Sequence, residues 1–157
     1  MTVRTNLLDR EVGQAMSALS AAAKRGLGDS VLAELVMIRA SQLNHCAFCL
    51  DMHLALAREG GESEQRLGLL DAWEEAEDLY TERERAALAL TEAVTVLAGG
   101  TSRTTSGGGF VPDAVYERAA AHFTDGELAH LVGLIAVING WNRLMVSRRI
   151  PPGGYTP

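Results

Sequence analysis

The chain has 157 residues, of which 47% are hydrophobic and 22% charged, the composition of an ordinary globular domain. A chain of this length buries roughly 70% of the surface of its unfolded form, so it needs no disulfide for stability. Its net charge of -6, without any basic stripe, argues against a nucleic-acid binder, because such proteins neutralise phosphates with clustered Lys and Arg. We therefore expect no nucleic-acid partner.

The sequence predicts neither a secretory signal nor a membrane span. Residues 1–6 lack the apolar segment of a signal peptide. The longest apolar run, residues 131–138, is interrupted by Gly133 and is far shorter than the roughly 20 residues that cross a bilayer. We expect a cytoplasmic protein with no membrane partner, in a reducing compartment where a cysteine pair is more often catalytic or metal-binding than structural.

The first half of the chain predicts four helices. The first covers residues 8–24 and ends at the Gly-rich residues 25–28. Four apolar side chains share one face of it: Val12, Ala15, Met16 and Leu19. The second helix is capped by Asp29 or Ser30 and ends near residues 44–45. The third begins at or just before Cys46 and runs to about residue 58, and a shorter one covers residues 63–70.

The second half predicts three more helices. Capping boxes at residues 81–84 and 124–127 introduce helices that run to Ala98 and to about Ser147. Pro112 suits the first turn of a helix between them, through His122. Residues 99–109, rich in Gly, Ser and Thr, are predicted to be flexible, and no stretch alternates with the period of a strand.

These elements predict one all-α domain of about seven or eight helices spanning residues 1–157. The cysteine-bearing core region is expected at about residues 29–98. No internal repeat is found, and no boundary leaves a complete core on each side. Residues 128–146 are apolar nearly all round, so this helix is expected either at the centre of the core or against another subunit.

The two cysteines of the chain, Cys46 and Cys49, lie within one helical turn, and His53 follows four positions later. At 100° per residue, Cys49 and His53 lie roughly 60° and 20° from Cys46, so the three side chains share a narrow helix face. Two thiols and an imidazole on one face are suited to redox chemistry or to metal binding.

Cys49 is expected to be the attacking thiolate. A free thiol with a pKa near 8.5 is only about 3% ionised at pH 7, so a nucleophile needs its anion stabilised. A helix N-terminus supplies roughly 0.3 to 1 kcal/mol, less than one pKa unit, and favours Cys46. His53 lies one turn from Cys49 and leans towards it, so it is expected to supply most of the shift. Cys46 then resolves the sulfenic acid into a disulfide.

Glu34 is a further candidate because it lies in an otherwise apolar stripe of the second helix, between Val31 and Ile38. A short break at residues 44–45 brings this helix back against the cysteine-bearing one. A carboxylate buried there is suited to shuttling protons.

Other interpretations of the motif stay open. The cysteines are alternatively a pair of buried small side chains, or zinc ligands together with His53 and a fourth group, His45 or Glu34. His45 is alternatively a solvated turn residue, and two further histidines, His122 and His130, are interpreted as ordinary surface or core residues. We interpret three consecutive residues of the last helix as structural: Trp141, Asn142 and Arg143. They are expected to pack against the core and to complete hydrogen bonds around this helix.

Glu34, Cys46, Cys49 and His53 follow one another at intervals of 12, 3 and 4 residues. This pattern resembles the core signature of the AhpD-like alkylhydroperoxidases of the carboxymuconolactone decarboxylase superfamily. The resemblance covers roughly residues 34–57 at motif level, with residues 44–53 its most specific part. Residues 138–144 are similar to the closing helix of many such proteins.

The resemblance implies an all-helical trimer or hexamer that reduces organic hydroperoxides or hydrogen peroxide without a cofactor. It implies attack by Cys49, resolution by Cys46, thiol activation by His53 and proton relay by Glu34. It also implies re-reduction by a dithiol partner, either a lipoyl protein or a thioredoxin-like protein. The chain departs from the pattern at Phe48, where the best-characterised peroxidases carry a histidine. A slower disulfide reductase or a low-turnover redox sensor is therefore the alternative, followed by a zinc-binding module.

Overall fold

The computed structural model describes residues 2–97 and 110–153. Within these ranges there are seven α-helices and no strand, in agreement with the predicted fold class. The helices are α1 (Arg10–Leu27), α2 (Ser30–Leu43), α3 (Ala47–Glu59), α4 (Glu64–Leu69), α5 (Glu82–Thr95), α6 (Asp113–Ala120) and α7 (Asp125–Arg148). Short 3₁₀ turns cover Thr5–Leu7, Leu70–Ala72 and Glu77–Leu79.

Side-chain caps determine where several helices begin. Asp9 accepts hydrogen bonds from two backbone N–H groups at the start of α1, and Asp29 accepts one at the start of α2. Thr81 and Thr124 each form a complete capping box, before α5 and α7 respectively, so both predicted boxes are confirmed. These caps satisfy backbone donors that have no partner inside a helix.

Some helix ends differ from the prediction. Helix α1 continues three residues past its predicted end, and Gly28 terminates it with φ of 70°. Cys46 is the N-cap of α3 rather than its first helical residue, and Pro112 is the N-cap of α6. Helix α5 ends at Thr95. The predicted flexible segment, residues 99–109, lies outside the described residues.

Helix α7 lies at the centre of the core and packs on α1, α2 and α5. Four of its side chains are completely enclosed: Leu131, Leu134, Ile135 and Ile138. By length and composition alone this helix would also pass for a membrane span, with a mean hydropathy of 1.2. In this structure 39% of that 18-residue window is buried, and its enclosed side chains pack on α1, α2 and α5.

The face by which α1 packs differs from the one predicted. Val12 and Leu19 are 49% and 47% exposed, whereas Ala23 and Leu27 are buried. The helix approaches α7 so closely that a Cβ atom on Gly140 would lie 2.8 Å from Met16 Cε. The apolar stripe of α1 is wider than its contact with α7, so part of the stripe faces outwards.

The turn between α2 and α3 places the cysteines against the core. His45 has φ of 53°, the left-handed conformation that reverses the chain, and its side chain is exposed. The backbone N–H of Cys46 then donates to the carbonyl of Ser41, 3.0 Å away. Helix α2 is buried from Leu32 to Ser41, so α3 folds back onto a helix that lies almost entirely inside the protein.

Candidate active site

Both cysteines are free thiols at the start of α3 and are almost completely buried, with exposures of 2% for Cys46 and 1% for Cys49. Their side chains are hydrogen-bonded to each other. Cys46 occupies the N-cap of α3, so its sulfur lies at the end of the helix where the backbone N–H groups of Phe48 and Cys49 favour its thiolate.

The two thiols have opposite acidities. The hydrogen bond donated by Cys49 is the main reason why the pKa of Cys46 falls to about 7; burial opposes it, and the backbone N–H groups and the Asn142 amide assist it. The pKa of Cys49 is raised, first because its proton is held by Cys46 and then by burial. When the dithiol loses a proton, the negative charge therefore forms on Cys46 first.

This charge distribution differs from the expectation that His53 would ionise Cys49. The imidazole bonds to Glu34, and within the described part of the chain no direct hydrogen bond joins it to either sulfur. The cap position gives Cys46 backbone donors that a helix-wheel argument does not include. Which thiol attacks an oxidant is a separate question, and the role assigned to Cys49 stays a prediction.

Glu34 connects α2 with two other helices. Its Oε2 accepts a hydrogen bond of 2.7 Å from Nδ1 of His53, and its Oε1 accepts one of 2.5 Å from Nζ of Lys24. Burial raises the pKa of Glu34, but the bonds from His53 and Lys24 outweigh burial, so the pKa lies below its ordinary value. Glu34 is thus a carboxylate at neutral pH.

The ionised carboxylate determines the tautomer of His53. A carboxylate only accepts hydrogen bonds, so Nδ1 of His53 must carry the proton that it shares with Glu34. In the neutral imidazole, Nε2 then has a free lone pair. His53 is therefore oriented as a general base, with Glu34 as the group that orients it.

A cavity of about 560 Å³ lies between α1, α3 and α7, and both Cys49 and His53 contribute to its wall. Cys46 does not line it. Large apolar side chains form most of the surface: Met37, Phe48, Met52, Leu56, Trp141 and Met145. The polar part of the wall includes Lys24 and Arg148. Of the two cysteines, only Cys49 contributes to the wall of this cavity.

A polar network behind the thiols ties α2 to α7. The amide of Asn142 donates to Ser41 Oγ at 3.0 Å and accepts from Asn44 Nδ2 at 2.9 Å. The same amide favours the thiolate form of both cysteines and lowers the pKa of each. Asn142, interpreted from sequence as polar satisfaction around the last helix, therefore also acts on the sulfur pair.

The structure brings together all four candidates named from the sequence: Glu34, Cys46, Cys49 and His53. Sequence reasoning missed Lys24 and Arg148, and it assigned Asn142 no chemical role. The only hint of a role for Lys24 in the sequence is that it lies ten residues before Glu34. The sequence does not indicate that α1 and α2 bring these two side chains together. His45, His122 and His130 have exposed side chains and lie outside the cavity wall.

The zinc alternative requires at least three ligands around one point. Within residues 2–97 and 110–153, no group of three or more His, Cys, Asp and Glu side chains has the arrangement of a metal site. Elemental analysis of the purified protein is the direct measurement for that alternative.

The fold and the site define an all-helical protein with a buried dithiol beside a carboxylate-oriented imidazole. The sequence model of the carboxymuconolactone decarboxylase family matches residues 10–93, more than half of the chain and all four candidates. The chain therefore belongs to the carboxymuconolactone decarboxylase family, and its all-α fold is of the AhpD-like type.

Curated relatives include two uncharacterized bacterial proteins. The chain is 42% identical to YdfG of Bacillus subtilis over 114 residues, which cover 73% of this chain and 71% of YdfG. It is 34% identical to YnjA of Escherichia coli over 132 residues, covering 83% of this chain and 66% of YnjA.

Solved structures show the same fold. One is a protein of unknown function from Agrobacterium tumefaciens, ATU0492, for which a role as the antioxidant defence protein AhpD has been suggested. The TM-score is 0.84 at 35% identity, over 98% of this chain and 100% of that one. An uncharacterized peroxidase-related protein from Silicibacter sp. TM1040 has a TM-score of 0.72 at 20% identity, over 93% and 72% of the two chains, and supports the fold alone.

Proposed function

We propose that the protein is a thiol peroxidase that reduces organic hydroperoxides or hydrogen peroxide through a Cys46–Cys49 dithiol/disulfide cycle. One observation carries this proposal: two hydrogen-bonded free thiols, one of which lines a cavity beside an imidazole oriented by a carboxylate. The family and the fold support an antioxidant role of this kind.

The first chemical step is attack by Cys49 on the peroxide. The proton of Cys49 passes along the existing hydrogen bond to the Cys46 thiolate, or to Nε2 of His53, leaving Cys49 as the anion. The Cys49 sulfur attacks the terminal oxygen, the O–O bond breaks, and the alkoxide takes a proton to leave as an alcohol. Cys49 is oxidised to a sulfenic acid.

The second step forms the disulfide. The Cys46 sulfur attacks the sulfenic sulfur of Cys49, and the hydroxyl group leaves as water after taking a proton. In sum, two thiols and one hydroperoxide give one disulfide, one alcohol and one water. Starting from a dithiol with one sulfur ionised, this oxidative half of the cycle takes up one proton, which the re-reduction of the disulfide releases again, and His53 lines the same cavity as Cys49 and is suited to relay it.

The remaining partners follow from the family resemblance. A dithiol protein, either lipoyl-bearing or thioredoxin-like, returns the disulfide to the dithiol by exchange. We place this cycle in the cytoplasm, where such reductants maintain thiols. The cycle uses no bound cofactor.

We also propose a homo-oligomer, a trimer or a hexamer. The outward apolar stripe of α1, which includes Val12 and Leu19, supports this proposal because a second copy of the chain would cover it. Light scattering after size exclusion measures the mass directly, and a monomer at micromolar concentration would contradict the proposal.

The test is a peroxidase assay with mass spectrometry of each single-cysteine variant. Treatment of the wild type with one equivalent of peroxide should yield an internal disulfide. The Cys46→Ala variant should accumulate sulfenic acid on Cys49 and turn over poorly, because the resolving sulfur is gone. Cys49→Ala should lose peroxide consumption. Sulfenic acid on Cys46 in Cys49→Ala, at a rate like the wild type, would reverse the two roles.

A disulfide reductase or redox sensor is the second candidate, and Phe48 favours it. Its apolar ring lines the cavity at the position where the best-characterised peroxidases of this type carry a histidine, so it adds no proton donor there. Steady-state kinetics over several peroxides separate the two functions. A rate no faster than that of a free dithiol would favour the sensor, and Phe48→His should then raise that rate.

A further inference from the structure

Arg148, in the last turn of α7, brings a cation into the wall of the Cys49 cavity, and no carboxylate of residues 2–97 or 110–153 pairs with it. Its Nε is buried and has no hydrogen-bond partner. Within the described residues, the recorded hydrogen bond of its side chain is a weak one, from Nη1 to Met145 Sδ at 3.9 Å. The side chain as a whole is only partly buried, so an anion in the cavity would meet its Nη groups, which no carboxylate of the described residues occupies.

The second cation of the wall, Lys24, is in a different position. Its Nζ already pairs with Glu34 at 2.5 Å, and that carboxylate is also shared with His53. Lys24 is thus neutralised by the protein itself, whereas Arg148 still has donor capacity. An anionic ligand entering this cavity therefore has one preferred site, at the Arg148 end.

The distance between Arg148 and the thiols can be read along α7. Asn142, whose amide favours the thiolate form of both cysteines, marks their level on this helix. Arg148 follows six residues later, which is about 9 Å along the helix axis. Between the two levels the wall is apolar, with Trp141 and Met145 from α7 and Phe48 and Met52 from α3.

We propose that this cavity binds amphipathic carboxylates, and that the substrate is the hydroperoxide of a fatty acid. The carboxylate pairs with Arg148, the hydrocarbon chain lies on the apolar wall, and the hydroperoxide group reaches Cys49. The substrate assignment rests on the proposed peroxidase function, whereas binding of the carboxylate does not. The reaction is the balanced cycle given above, with the fatty-acid hydroperoxide as oxidant and a dithiol protein as reductant.

Binding is tested first, with ligands that cannot be reduced. Calorimetric titration of the full-length reduced protein compares dodecanoate with dodecanol, which has the same chain and no charge. Dodecanoate should bind at least about 10-fold more tightly. Equal affinity for the two ligands, or no binding of dodecanoate, would overturn the proposal.

Three variants locate the anion site. Arg148→Gln should remove the preference for dodecanoate over dodecanol, and Arg148→Lys should retain part of it because the charge remains. The matched control is Arg143→Gln, an exposed arginine of the same helix that does not line the cavity. Thermal melting verifies that each variant is folded. An unchanged preference in folded Arg148→Gln would rule out this residue as the anion site.

Kinetics connect the binding site to the reaction. The hydroperoxide of linoleic acid should have a lower KM than the hydroperoxide of its methyl ester, and Arg148→Gln should abolish the difference by raising the KM of the acid. If dodecanoate binds but neither hydroperoxide is reduced, the peroxidase function fails and the anion site stands. If both are reduced with equal KM, the peroxidase stands and the fatty-acid assignment fails.

Discussion

Glu34 determines where the protons of the site reside. Its carboxylate orients the imidazole of His53 through Nδ1 on one side and pairs with Lys24 on the other, so Nε2 is the ring nitrogen of His53 that this carboxylate leaves free. The two thiols differ in pKa mainly because Cys49 donates its proton towards Cys46, and the backbone N–H groups at the N-cap add to this difference. Each of these effects belongs to an individual side chain and is tested by substitution at that side chain.

The ionisation of the thiols gives the first prediction. The pH dependence of iodoacetamide alkylation should show one thiol with a pKa of about 7, and peptide mapping should assign it to Cys46. In Cys49→Ala this pKa should rise, because the hydrogen bond that contributes most to lowering it is lost. Cys49→Ser, whose hydroxyl still donates, is the control and should shift it less. A thiol that ionises only above pH 8 in the wild type would contradict the assignment.

Glu34→Gln gives the second prediction, for stability as a function of pH. The lowered pKa of Glu34 means that its stabilising effect is complete above the unfolded value of about 4.3 and is lost as pH falls through the folded value. The difference in free energy of unfolding between wild type and Glu34→Gln should therefore be largest near pH 7 and shrink below about pH 4.

Urea unfolding at a series of pH values measures that difference. The matched control is Glu117→Gln, an exposed carboxylate in α6 for which the described residues show no ion pair. Its difference from wild type should be small and nearly constant with pH. A Glu34→Gln difference that grew on acidification would mean that Glu34 is protonated in the folded protein.

At the scale of helices, the site depends on where α1, α2 and α3 end. The left-handed His45 reverses the chain within the three-residue α2–α3 connection, and Glu34 then meets His53 across the two helices. Gly28 closes α1 just beyond Lys24, and its φ of 70° allows the chain to turn directly into α2. Helix ends of this kind are set by backbone conformation, so glycine substitutions test them.

The third prediction compares two glycines. Gly28→Ala should destabilise the protein by about 1 to 2 kcal/mol, because a Cβ disfavours the left-handed conformation even though no neighbouring atom would clash. Gly68→Ala is the control: Gly68 lies in the exposed part of α4, also with free space around its Cβ position. There alanine should stabilise the protein by roughly 0.5 to 1 kcal/mol, because it favours the helix. Chemical denaturation measures both changes, and equal effects would contradict the backbone argument.

At the scale of the whole molecule, α7 organises the structure. It provides the centre of the core, the Asn142 amide behind the thiols, and Arg148 at the far end of the cavity. The antiparallel α1 is fixed to it by a hydrogen bond from Trp141 Nε1 to Ser20 Oγ, 3.0 Å. A substitution that disrupts the packing of α7 should therefore lower the free energy of unfolding and also displace Asn142 and Arg148 from the site.

The fourth prediction distinguishes the core face of α7 from its outer face. Leu134→Ala should destabilise the protein by about 2 to 5 kcal/mol, because the side chain is fully enclosed and leaves a cavity. Val132→Ala, two residues earlier and 39% exposed, should cost less than about 1 kcal/mol. Thermal and urea unfolding measure both. Similar losses for the two variants would contradict the packing described for this helix.

The sequence by itself determined the helical class, both capping boxes and the grouping of Glu34, Cys46, Cys49 and His53. These features depend on residues that are close in the chain: the period of the apolar side chains, the residue types at helix N-termini, and the spacing of the site residues along one or two helices. The turn at residues 44–45 is short enough that the contact between α2 and α3 follows from adjacency in the chain.

Only the tertiary structure decided which distant residues join the site. Lys24 and Arg148 reach the cavity because α1 and α7 pack antiparallel beside α3, and Asn142 reaches the thiols because α7 passes behind them. The lowered pKa of Cys46 has both origins: Cys49 and Phe48 are its neighbours in the chain, whereas burial and the Asn142 amide come from tertiary packing. Ionisation depends on all donors and on burial around a sulfur, and long-range packing places these groups where sequence spacing does not record them.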